Sequence, residues 1–319
     1  MGVGWARKVQ EMAGDRFKVD VLPAGAVVGA FDVIDAVHGG SLDAGMGVPA
    51  YWWGKKRALT LFGTGPNFGM DADGWIAWYY YGGGQELWAE FIQKKLNLNV
   101  VSFFFGPFPN QPLGWFKNEI KGPDDFKGLK FRTVGIAIDT YAAMGATVIA
   151  LPGSEVVPAL EKGTLDAAEF NNTTSDRING FQDVRKILMT GSYHQPAECL
   201  EVQVNKGRWD ALPKDLQAIV KYAAMAQSAD MQWIFMDRNS KDLIELQKAN
   251  VKFIRTPQSV LDAQLKAWDA IIKKETAADP DFGRVLDSQR AWAERVSNWR
   301  AAVDMARPDT QSANFYFKK

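Results

Sequence analysis

Apolar positions recur at helical spacing through residues 5–13 and stop at Gly14, after which residues 17–22 alternate apolar and charged side chains up to Pro23. This predicts a helix followed by a strand. Residues 31–38 then read as a short helix closed by Gly39 and Gly40, and residues 43–48 as a small-residue strand ending at Pro49. The same grammar returns after Ile120. Gly122, Pro123, Asp124 and Asp125 form a turn and helix-start signal, and strands are predicted at 129–134, 147–151 and 166–170. Helices at 138–144 and 155–162 separate them.

Laying residues 33–45 over 156–168 matches Val33 with Val156, Ala36 with Ala159 and Gly40 with Gly163. The match continues through Leu42 with Leu165, Asp43 with Asp166 and Ala44 with Ala167. Six identities in thirteen positions suggest one helix-Gly-strand unit used twice, although any such joint favours Gly and small residues at these places. Two similar α/β units far apart in sequence predict two lobes with a cleft, the usual seat of a small ligand. Beyond residue 205 the texture becomes helical. Pro213 opens a run to Asn250 without further Pro or Gly, long enough for a helix of about 50 Å that could brace both lobes. A last periodic stretch, 285–305, puts Trp292, Val296, Trp299 and Val303 on one face, either docked on the chain's own core or joining two copies.

The 319 residues fit two ordinary domains, and 47% hydrophobic with 23% charged residues is the composition of a packed globular chain. Thirty-seven basic residues balance thirty-seven acidic ones, so no bulk charge drives binding to nucleic acid or to anionic membranes. The apolar run at 100–108 falls short of the roughly 18–20 residues that cross a bilayer. The opening residues carry no basic region followed by an apolar core, so no secretory signal is read there. One cysteine, Cys199, and two histidines, His38 and His194, exclude an intrachain disulfide and make a poor zinc set.

HExxH, GxSxG, Walker-type and CxxC motifs are absent from the sequence. The stretch 63–69 lacks the glycine spacing of a dinucleotide fingerprint and reads as a loop, and Gly82, Gly83 and Gly84 read as a helix boundary. His38 and His194 are expected to be caps or surface residues, and Cys199 lacks the electropositive neighbour a reactive thiolate needs. Without an acid, base and nucleophile set, the chain is not read as an enzyme; an α/β enzyme with Glu169 as general base is the alternative.

Arg132 instead lies inside an apolar strand, where a guanidinium must be paired or face a cleft, and its fork suits a carboxylate. Glu169 ends another small-residue strand and wants a cation, either Arg132 itself or a metal ion. Tyr51, Trp52 and Trp53 follow the first repeat's strand, where rings either fill core or wall a pocket.

Three segments carry a resemblance to a known family: Gly114-Trp115-Phe116-Lys117-Asn118-Glu119-Ile120, Asp125-Phe126-Lys127-Gly128-Leu129-Lys130-Phe131-Arg132, and Pro158-Ala159-Leu160-Glu161-Lys162-Gly163-Thr164-Leu165-Asp166-Ala167-Ala168-Glu169. Together with the Leu151-Pro152-Gly153-Ser154-Glu155 turn they closely resemble the substrate-binding proteins of tripartite ATP-independent periplasmic (TRAP) transporters, in the branch of 2-oxo-acid and mannitol or chloroaromatic binders. The resemblance implies an α/β, bilobal periplasmic-binding-protein-like fold, two lobes around a cleft with long bracing helices. On that pattern residues 1–115 are mainly lobe 1, 116–205 mainly lobe 2, and 206–319 the bracing and C-terminal helices. It also implies a strand and a signal peptide ahead of Val3, a periplasmic location, and reduced stability of a chain lacking that strand.

By the same resemblance, Arg132 clamps the carboxylate of an organic monocarboxylate, a 2-oxo acid first, with a hydroxy acid, aromatic carboxylate or polyol as alternatives. Gln111, Glu169 and the backbone of Phe170 are implied to hold a sodium ion, or calcium, that bridges to the ligand. The resemblance implies the permease subunits as partner, while Tyr51, Trp52 and Asn171 are expected as further ligand contacts from their places in the sequence, and the face of the last periodic stretch allows a homodimer through the C-terminal helices. Phe170 stands where relatives carry tryptophan, and 106–110 and 171–177 depart from their pattern, which alters the pocket wall. The polar side chains of 171–177 either read ligand hydroxyls or cap the next helix.

Overall fold

Strands form where short apolar or small-residue runs lie between Gly, Pro and polar stops. The structure, a computed structural model, describes residues 1–303. Its strands are β1 Ala44–Gly47, β2 Val100–Phe108, β3 Gly114–Phe116, β4 Lys130–Arg132, β5 Thr147–Ile149, β6 Ala167–Ala168, β7 Ile187–Thr190, β8 Glu198–Asn205 and β9 Lys252–Arg255. They make two sheets, one ordered β1-β8-β2 and antiparallel, the other ordered β5-β4-β6-β3-β7-β9 and mixed.

Both faces of each sheet are covered, as the period-2 alternation of the strands requires. In β2, Phe104 points into a core with Trp52, Phe62, Trp75, Trp78 and Trp88, while Phe103 and Phe105 point into one with Trp5, Val202 and Met231. In the second sheet Phe116, Phe131 and Met189 face one core with Tyr141, and their neighbours Trp115 and Leu188 face another with Leu160 and Phe181.

The chain crosses between the sheets twice near the site. β2 ends at Phe108 in the first sheet and β3 begins at Gly114 in the second; β7 ends at Thr190 in the second and β8 begins at Glu198 in the first. The two crossings touch through Gln111 N donating to Gln195 O at 3.1 Å. Residues 198–205, expected in the second lobe, therefore return to the first sheet, and β9 adds a strand to the second sheet from a region read as helical.

The repeated unit is present as structure. Helices Val33–Gly39 and Gly153–Glu161 end before Gly40 and Gly163, at φ of 80° and 74°. In both units the chain then turns back by the same bond, Leu42 N to Ala36 O and Leu165 N to Ala159 O, each 3.2 Å. The predicted strand at 17–22 does not form. Phe17 is extended and, with Val19, packs against the Trp5 core, but among the described residues no strand pairs with it. Alternation set which side chains turn inward without supplying a partner.

Helix Lys214–Lys248 has 35 residues, or about 52 Å at 1.5 Å per residue. It meets the first sheet where Gly106 N donates to Ser228 Oγ at 3.1 Å. It meets the second unit where Thr173 Oγ1 donates to Asn239 O at 3.0 Å and Arg177 pairs with Asp242 at 2.6 Å. In the final helix, Pro280–Val303, Trp292 packs on the tryptophan-rich core and donates to Gly74 O at 3.2 Å. Trp299 and Val303 on the same face are exposed, and the remainder of the 285–305 stretch lies outside the described residues.

Candidate ligand-binding site

Strand register decides where the charged side chains meet. Arg132 lies opposite Ile149 on β5 and Ala168 on β6, so the last residue of β4 sits beside Glu169, the first residue past β6. Arg132 Nη1 and Glu169 Oε1 are 2.7 Å apart, with side chains 2% and 1% exposed. The rest of the guanidinium donates to Leu151 O through Nε at 3.0 Å and Nη2 at 2.9 Å, which fixes its plane. Both readings of Arg132 hold at once: it is paired with Glu169 and it faces a cleft.

That cleft is a cavity of about 180 Å³ where the two sheets approach each other. Tyr51, Gln111, Arg132, Glu169, Phe170 and Asn171 all line it. Gln111 comes from the first crossing and is 2% exposed. The Phe170 ring lies 5.9 Å from the Arg132 guanidinium, forming part of the wall behind it. Asn171 lines the cavity and its Oδ1 accepts from Asn172 Nδ2, while Asn172 Oδ1 accepts from Ser175 N at 3.0 Å and caps helix Thr173–Ile178. The polar run at 171–177 thus divides between lining and capping.

Trp52 is not among the lining residues. It is core, 1% exposed, with Nε1 donating to Glu201 Oε2 at 2.9 Å. A buried indole N–H must find an acceptor, and the one available is a carboxylate on the neighbouring sheet that also accepts from Trp88 at 2.8 Å. The expectation that Trp52 contacts ligand is corrected accordingly. His194, expected at the surface, is 1% exposed, with Nδ1 2.6 Å from Ser192 Oγ. Burial and then the Arg132 charge hold it down at about 3, so it is neutral.

One lining residue was missed. Glu198, the first residue of β8, is 5% exposed in the same cavity, and Gln111 Nε2 donates to its Oε2 at 3.3 Å. It shares the signal that marked Arg132 and Glu169, an ionisable residue at the edge of an apolar strand, and it reaches the cavity because β8 returns to the first sheet. Burial, and then the like charge of Glu169, push it up to about 8, with Arg132 pulling the other way. Burial also raises Glu169 against the pull of Arg132. The site thus sets two buried carboxyl groups beside one guanidinium, and burial keeps Glu198 largely protonated at neutral pH.

Such a site can take an anion on a pre-aimed guanidinium and a hard cation on surplus oxygens. Similar proteins are known with ligands of these two kinds. A monocarboxylate 2-oxoacid-binding periplasmic protein of Nostoc sp. is 32% identical over 302 residues, covering 94% of this chain and 82% of that protein. A TRAP periplasmic solute-binding protein of Pseudoalteromonas atlantica, solved with bound sodium and pyruvate, is 33% identical with a TM-score of 0.88, covering 95% and 91% of the two chains. Its counterpart from Colwellia psychrerythraea, solved with calcium and pyruvate, is also 33% identical with a TM-score of 0.89, covering 97% and 93%. The sequence profile of the bacterial extracellular solute-binding proteins, family 7, matches residues 3–279, and the chain belongs to that family, as a solute-binding protein of the TRAP type with the bilobal α/β fold of its members.

Proposed function

We propose that this chain is a periplasmic, non-enzymatic receptor that closes on a small 2-oxo monocarboxylate together with a cation and presents it to a TRAP membrane permease. The observation that carries the reading is the convergence of Arg132, Glu169 and Gln111 on one small cavity between two crossings of the chain. Arg132 would receive the ligand carboxylate on its fork. The cation would lie among Gln111, Glu169 and the main-chain carbonyl of Phe170, where it could also meet the ligand's oxo oxygen. Gln111 Oε1 supports this, being buried without a hydrogen-bond partner. Oxygen donors alone suit sodium or calcium, and among the described residues no group of three or more His, Cys, Asp or Glu offers a transition-metal cage.

The volume supports a short acid, since 180 Å³ is room for on the order of ten waters. Against catalysis, Ser192 and His194 resemble a nucleophile and base, but neither lines the cavity and the imidazole is held far below useful basicity. The exposed Trp299 and Val303 are consistent with pairing of two copies through the last helix, which size measurement at several concentrations checks. Among the described residues no helix is long and apolar enough to cross a membrane.

The test is calorimetric titration and thermal shift with pyruvate, longer 2-oxo acids, lactate and benzoate, each with sodium, calcium or chelator. One acid class should bind only with a cation, and Arg132→Ala should weaken it roughly 100-fold or more. Arg132→Lys keeps the charge and loses the fork, so a folded lysine variant with unchanged affinity sinks the reading.

A further inference from the structure

We propose that Asp176 is a positioning residue of this site: from outside the cavity it turns the Phe170–Asn171 peptide so that the Phe170 carbonyl faces the ligand. The inference rests on the reading of the cavity given above and deepens it.

Asp176 lies in helix Thr173–Ile178, is fully buried and does not line the cavity. Its Oδ2 accepts from Trp115 Nε1 on β3 at 2.7 Å, and its Oδ1 accepts from Asn171 N at 3.1 Å. The neighbouring guanidinium, Arg177, is turned to Asp242 instead. Burial pushes the Asp176 carboxyl up to about 7, so the chain keeps an acid here at a cost in stability, which is a mark of a functional place.

What Asp176 holds is the turn out of β6. That strand ends at Ala168, and the next three residues, Glu169, Phe170 and Asn171, line the cavity in succession. Glu169 N still donates to Arg132 O at 3.3 Å, the last link to β4. Two residues on, the Asn171 amide is held by Asp176. The Phe170–Asn171 peptide is trans, and a planar trans peptide points its N–H and its C=O in opposite directions. An N–H drawn back to Asp176 therefore sends Phe170 O the other way, from the buried side of the wall toward the cavity. The anchor is itself fixed, by the Trp115 bond to the sheet and by Thr174 N donating to Asn239 Oδ1 of the long helix at 3.0 Å.

Asp176→Asn tests the aim at nearly constant size. An amide has one acceptor oxygen in place of two and sets an NH2 group against one of the two N–H donors. The experiment titrates wild type and variant with calcium or sodium at fixed pyruvate, and with terbium, excited through the aromatic rings, in the absence of acid. Asp176→Asn should need roughly 10–100-fold more cation for half-saturation and bind terbium more weakly by a similar factor. At saturating cation its pyruvate affinity should stay within ~2-fold of wild type, because Arg132 is not touched. Trp115→Phe breaks the other bond to Asp176 and keeps the one to Asn171, so it should lower the melting temperature yet leave the cation requirement within ~2-fold.

A folded Asp176→Asn with an unchanged cation requirement overturns the proposal. So does an equal rise in Trp115→Phe, which would mark general damage, or a loss of pyruvate affinity that saturating cation does not restore. If Asp176→Asn does not fold, hydrogen exchange of the wild-type Asn171 amide decides. At ten times the half-saturating terbium its protection should rise ~10-fold, and no rise overturns the proposal. Should the wild type bind terbium but no acid, the 2-oxo-acid reading fails while the terbium difference between wild type and Asp176→Asn still decides the role of Asp176. A wild type that binds neither takes both readings down.

Discussion

Arg132 and Glu169 were legible because an ionisable side chain in an apolar strand has few physical options, and the sequence pattern confined each to a pair or a cleft. What could not be read was which indole would be claimed by Glu201, or that His194 would be walled in against Tyr141, since both follow from contacts across the sheets. His194 makes a prediction at this scale. Its folded value of about 3 lies below the ordinary 6.5, so its contribution is fully present above pH 6.5 and is lost as pH falls toward the folded value. In that window the unfolded chain takes a proton that the native one refuses. The wild type should lose up to about 1.4 kcal/mol per pH unit more than His194→Gln, read from urea unfolding at pH 7 and pH 5. Buried Asp176, pushed up to about 7, contributes with the opposite sign and is common to both proteins, so the difference between them isolates the imidazole.

Among the elements, those with local stop signals were read well: both Gly-terminated helices, the long helix after Pro213 and the short strands between turns. Pairing was harder. The extended stretch at 17–22 has strand periodicity and no neighbour, and β9 has a neighbour, β7, that lies some sixty residues upstream. The repeat yields a comparison. Gly40 and Gly163 adopt left-handed backbone with no neighbour closer than 3.8 Å to an added Cβ, so each should respond to Ala through conformation alone. Gly40→Ala and Gly163→Ala are each expected to cost about 1–2 kcal/mol in chemical denaturation. A clear inequality would show that the two units are not equivalent in the folded protein.

For the whole molecule, the guanidinium and carboxylate proposed to meet a ligand are almost wholly shielded from solvent. Opening for a ligand and closing over it would hinge the chain at the two crossings, 109–113 and 191–197, while the long helix touches both sides. Small-angle scattering should therefore show a larger radius of gyration in the ligand-free protein than in the loaded one, and association should plateau at a rate set by opening. Identical scattering curves would mean that the ligand enters without hinge motion.

The Arg132–Glu169 pair also gives the proposed receptor the behaviour of a two-input gate. An acid arriving alone must take the guanidinium from a partner already in place, and a cation arriving alone strips that guanidinium of its carboxylate. Together each relieves the imbalance the other creates, so each should raise the other's affinity by the same factor. A receptor wired in this way stays silent toward the abundant simple anions and cations around it, and answers only to their coincidence.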